Sequence, residues 1–164
     1  MNKNVIEVIA LGLIIATIGT AGAIGMRVAT CRPTWPDGSF PLHPHALHGE
    51  LGEPTFGASK AWLATGLSIF GPADNADSRV LVTFGDAPIL HARVELNSSF
   101  CRVRSAIVTV SRETPPEQLS TTIAHALGDV LDVPHEPEPW SIMHDPPPER
   151  GMLSHATLKW LGAE

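Results

Sequence analysis

Thr121–Met143 reads TTIAHALGDVLDVPHEPEPWSIM. His125 and Asp129 stand four residues apart, so on a helix they lie one above the other and point the same way. Leu119, Ile123, Ala126, Leu127 and Val130 recur at helical spacing and form an adjacent apolar face. Pro134 stops the helix, because the residue before a proline is pushed out of the α region. His135 therefore returns from the loop beyond the helix end. Upstream, Thr114-Pro115-Pro116-Glu117 predicts the start, with Thr114 as N-cap, Pro115 at the first helical position and Glu117 closing a capping box.

Around this helix the chain alternates short elements. Thr55–Thr65 reads as a helix ended by Gly66. Leu67–Phe70 is a short strand candidate, and Arg79–Phe84, Ile89–Leu96 and Val103–Val110 are stronger ones, rich in β-formers. In the last of these, Ile107, Val108 and Val110 form a nearly continuous apolar run, the pattern of a buried strand. Residues 136–153 are proline-rich and irregular. Ser154–Leu161 reads as a last short helix with Ser154 as its N-cap and Gly162 as its stop.

A chain of 164 residues with 43% hydrophobic residues can build one domain with a core. A net charge of −6 without a basic run argues against nucleic acid as a partner. Val8–Met26 carries no charge and approaches the ~20 residues that span a bilayer. Its glycines suit a membrane helix better than a soluble one. Residues 5–26 are therefore expected to contact a membrane as an uncleaved signal-anchor, with the domain on the extracytoplasmic side. Ala21-Gly22-Ala23 offers a cleavage site, which makes secretion after signal removal the alternative. Export would oxidise Cys31 and Cys101 to a disulfide if their Cα atoms come within ~4.4–6.8 Å. His43, His45 and His48 read as an exposed His-rich turn, and His91, His144 and His155 as surface residues.

The frame His125, Asp129, His135, followed by Ser141-Ile142-Met143, resembles the zinc site of metzincins, H-E-x-x-H-x-x-G-x-x-H with a later Met-turn. The likeness is to the matrixin branch and covers most of residues 55–164, including Trp62, Ala64-Thr65-Gly66-Leu67, Leu127-Gly128 and Val133-Pro134-His135. It implies an α+β fold, a metzincin-like zincin domain over residues 55–164 with a mixed twisted sheet, site helix, Met-turn and C-terminal helix. A proline- and histidine-rich linker at 28–54 and the N-terminal membrane helix at 1–27 would precede it. It implies zinc as cofactor, His125 and His135 as first and third ligands, and Asp129 in place of the second His. Met143 falls on the Met-turn methionine, Asp132 on the family glycine, and Ala126 on the catalytic glutamate.

The departures differ in weight. A carboxylate binds zinc at ~2.0–2.2 Å, so Asp129 is chemically permitted as a ligand. Asp132 is mild, since Asp visits the left-handed region more readily than most residues. Ala126 is serious: the missing glutamate would exchange protons with metal-bound water, and a methyl group cannot. The expected function is thus a pseudoprotease, a binding or structural subunit with a protein or peptide partner in the former substrate groove. The alternative is an active zinc metalloendopeptidase with an altered His/Asp/His site. A second frame, His125, Gly128 and Asp132 as H-x-x-G-x-x-x-D, resembles zinc D-Ala-D-Ala peptidases but leaves Ser141-Ile142-Met143 unexplained.

Overall fold

Two consecutive prolines decide where the principal helix begins. Pro115 precedes Pro116, so it is held extended at φ −54°, ψ 139°, and the helix starts one residue later than expected. The structure, a computed structural model, describes residues 49–63, 79–99 and 102–162. All of these lie in one of the chain's two units, Thr34–Glu164. A short 3-10 turn, Gly49–Leu51, leads into helix α1, Gly52–Leu63. Strands β1 (Arg79–Phe84), β2 (Ala92–Ser99) and β3 (Arg102–Val110) follow. Helix α2 spans Pro116–Val130 and helix α3 His155–Trp160.

The three strands form one mixed sheet in the order β1-β3-β2. β1 runs parallel to β3, with Val80 opposite Ala106 and Val82 opposite Val108. β2 runs antiparallel to β3, with Val94 opposite Val108. Because side chains alternate across a strand, Val80, Val82, Ala106, Val108 and Val110 all enter the core from one face. Ile107 points the other way and is 39% exposed, so the apolar run in β3 marks the central strand without marking burial on both faces.

On α2 the expected face, Leu119, Ile123, Ala126, Leu127 and Val130, is buried. Trp62 of α1 is enclosed, and its indole N–H donates to the Ala124 carbonyl at 2.9 Å. The C-terminal end of α1 is thereby tied to the middle of α2. The Thr114 capping box does not form: the cap residue is Pro115, which makes no side-chain cap. Ser154 does cap α3, accepting from the Thr157 N–H at 3.0 Å.

The expected metzincin-like zincin domain is corrected by these elements. The described residues form a small α+β arrangement of one three-stranded mixed sheet and three α-helices. Among the described residues no helix is long and apolar enough to cross a membrane. The longest, α2, has 15 residues and carries Glu117, His125 and Asp129. At ~1.5 Å per residue it falls short of the ~30 Å hydrocarbon layer. The strand expected at Ile89–Leu96 begins at Ala92, because Pro88 and His91 close a turn through a 3.2 Å backbone bond. The expected membrane segment at 5–26, residues 28–48 of the linker expected at 28–54, with His43, His45 and His48, the strand at Leu67–Phe70 and both cysteines, Cys31 and Cys101, lie outside the described residues.

Candidate metal centre

Three features of α2 bring the centre together. The i, i+4 spacing sets His125 and Asp129 on one side of the helix, with His125 Nε2 at 3.7 Å from Asp129 Oδ2. The helix then ends in a Schellman motif: Val133 N–H donates to the Gly128 carbonyl at 3.0 Å and Asp132 N–H to the Asp129 carbonyl at 2.9 Å. Asp132 supplies the left-handed residue such an ending requires, at φ 60°. The chain reverses there, Pro134 follows, and His135 Nε2 arrives 3.2 Å from Asp129 Oδ1. The two imidazole rings lie 4.9 Å apart, centre to centre.

One donor atom from each of His125, Asp129 and His135 falls within 4.8 Å of the others, so the cluster can hold a metal ion. Ligands of a tetrahedral zinc at ~2.0–2.1 Å stand about 3.4 Å from one another. The separations of 3.2 and 3.7 Å run to the two different oxygens of Asp129, so the carboxylate stands between the two imidazoles. His125 Nδ1–H donates to the Ile142 carbonyl at 2.8 Å. That bond fixes the tautomer and leaves Nε2 as the free lone pair facing Asp129, the outer support metal-ligating histidines ordinarily have. His125 is 7% exposed, whereas His135 is open to solvent, so the centre is walled by the helix and entered from the loop side.

Burial raises the Asp129 carboxyl above its ordinary range; His125 and His135 pull it down without cancelling the rise, and Asp145 adds to it. A cation at the centre reverses this balance by favouring the charged carboxylate. No protein-family model, curated protein or solved structure matches the chain. What the centre can do therefore follows from its own donors and surroundings.

Ala126, beside His125, is 0% exposed and belongs to the core. Met143 is likewise enclosed, and its sulfur lies against Gly128. Glu136, next to His135, is held by three hydroxyl groups. Its Oε1 accepts from the hydroxyls of Ser154 at 2.5 Å and Thr157 at 2.8 Å, and its Oε2 accepts from Ser141. Burial would raise this carboxyl, but the bonds from Ser141, Ser154 and Thr157 outweigh it and hold it below its usual range. The signal for this knot is a set of hydroxyl residues at a helix cap and before Met143, distant in sequence from Glu136 or from one another. His91, expected as a surface residue, is paired with Asp145 at 3.2 Å, and His144 Nδ1 donates to the Pro146 carbonyl.

Proposed function

We propose that this chain is a metal-stapled binding or structural subunit that holds zinc without peptidase chemistry. The observation that carries the reading is a convergent three-donor cluster on a helix whose next residue, Ala126, offers only a methyl group to the core. Two imidazoles and one carboxylate are a donor set zinc accepts, and the likeness of the Thr121–Met143 frame to metzincin sites supports zinc over other divalent ions. When bound, zinc supplies a Lewis acid; peptide hydrolysis would also need a proton carrier beside it. Glu136 is engaged by Ser141, Ser154 and Thr157, and Asp145 by His91. Neither is available as that carrier. The gain from the ion is then cohesion: it ties the loop carrying His135 to α2.

The test is zinc uptake by the chelator-stripped full chain, with metal analysis and calorimetry, alongside a peptide-cleavage assay. One zinc per chain, lost in His125→Ala and His135→Ala, and no cleavage are expected. Absence of zinc uptake, or preferential binding of iron, would overturn the zinc assignment. Cleavage abolished by chelator would overturn the non-catalytic reading. Ala126→Glu is the weaker probe, because it places a carboxylate in the core.

A further inference from the structure

An open sheet edge and an unused sequence pattern meet at the end of β2, where the strand closes with Glu95-Leu96-Asn97-Ser98-Ser99. Among the described residues β2 pairs with β3 alone, so its other edge is open. The core lies on the face of Val94, Ala106 and Val108. Side chains alternate across a strand, so Glu95 and Asn97 share the opposite, outer face. Glu95, Leu96, Asn97 and Ser98 are all exposed. The register slips between Asn97 and Ser98, where Arg104 of β3 is passed over. The ladder is thus already interrupted at Asn97, and the chain can move there without opening the core.

Of the chain's four asparagines, Asn97 alone is followed two residues later by serine or threonine. That is the acceptor pattern for N-linked glycosylation. Oligosaccharyltransferases of the single-subunit type also read an acidic residue two positions before the asparagine, and Glu95 stands there. The longer pattern is met by chance far less often than the shorter one. Asparagine is depleted in strands, and among the described residues no side-chain bond holds the Asn97 amide in this one. Ser99 Oγ accepts from Arg104 Nε at 3.2 Å, which leaves its own O–H free to donate to a transferase.

We propose that Asn97 is an N-glycosylation acceptor, read by an oligosaccharyltransferase through Glu95 and Ser99 and supplied by a polyprenyl-diphosphate-linked glycan. The Asn97 amide nitrogen bonds to the anomeric carbon of the first sugar. The bond from that carbon to the diphosphate oxygen breaks, and the lipid diphosphate leaves with the electron pair. The amide proton passes to a carboxylate of the transferase. Transfer requires the extracytoplasmic placement expected from Val8–Met26 and does not require the metal centre. A glycan at Asn97 covers the open edge of β2 and blocks pairing with another strand there.

The experiment has two arms, both using the full chain and both read by intact mass and by fragmentation of the peptide that carries Asn97. In the first, purified folded chain is incubated with a single-subunit oligosaccharyltransferase and a polyprenyl-diphosphate-linked heptasaccharide. In the second, the chain is produced with its own N-terminus in cells that hold this transferase and donor on the extracytoplasmic side. A single glycan on Asn97 is expected in both arms, lost in Asn97→Gln and in Ser99→Ala and kept in Ser99→Thr. Glu95→Gln is expected to slow transfer roughly tenfold or more in the first arm. Transfer only after unfolding in urea, a glycan that persists in Asn97→Gln, or wild-type rates in Glu95→Gln would overturn the proposal. Modification of the purified chain without modification in cells would overturn it as well, through the placement it requires.

Discussion

Burial lifts the Asp129 carboxyl while His125 and His135 oppose the rise. A carboxyl whose folded value lies above its unfolded value stabilises the fold in acid. That contribution is lost as pH rises through the folded value. In chelator, Asp129→Asn is therefore expected to melt above the wild type, with the difference opening above about pH 4 and growing toward neutrality. Near pH 7 the gain should be roughly 2–4 °C, the shift about 1 kcal/mol produces in a chain of this size. With zinc added, the order should invert, because the amide gives up the anionic ligand; a calorimetric scan in chelator and in excess zinc reads both. That this residue shares a helix side with His125 was legible in the i, i+4 spacing. Its raised carboxyl was not, because burial at position 129 depends on how the loop after Pro134 folds back.

Gly128 illustrates why elements, more than residues, hold the centre in place. A side-chain carbon there would overlap the Met143 sulfur and approach Trp62 Cζ2 to 2.9 Å. Gly128→Ala is thus expected to lower stability by about 1–3 kcal/mol through overpacking, despite alanine's better helix propensity, and to weaken metal retention in the same preparation. Urea unfolding with a metal assay checks both. Glu136 joins another pair of elements, the loop after α2 and the start of α3, through Ser141, Ser154 and Thr157. Its carboxyl is held low, so its contribution is present above the unfolded value and fades as pH falls toward the folded one. Glu136→Gln is expected to cost about 1–2 kcal/mol at pH 7 and little near pH 3, measured by the urea midpoint at each pH. The strand Arg79–Phe84 and the Ser154 cap could be read from sequence, since β-branched runs and serine caps are local signals. The Thr114 cap could not, because the proline pair beside it competes for the same turn.

For the whole molecule, the legible part was the order of helices and strands, and the illegible part was what they assemble into. The likeness to a zincin domain rested on the His125–Met143 frame and on short matches spread over residues 55–164, whereas the described architecture is one three-stranded sheet with two helices joined through Trp62. Strand count is a non-local property, and nothing in a β-forming run says how many neighbours it has. Zinc should stabilise this assembly by mass action: at a hundredfold excess over the dissociation constant, about 2.7 kcal/mol. Thermal melts with and without chelator should separate accordingly, and His135→Ala should erase the difference. Trp62 adds a way to watch the same event without unfolding anything. Its ring is enclosed and bonded to the carbonyl one residue before His125, while Trp140 and Trp160 are solvent-accessible. Acrylamide quenches exposed indoles and spares enclosed ones, so the surviving blue-shifted emission belongs to Trp62 among the described tryptophans. The molecule thus carries its own optical gauge of the helix that bears the centre, one that needs neither a dye nor a substrate.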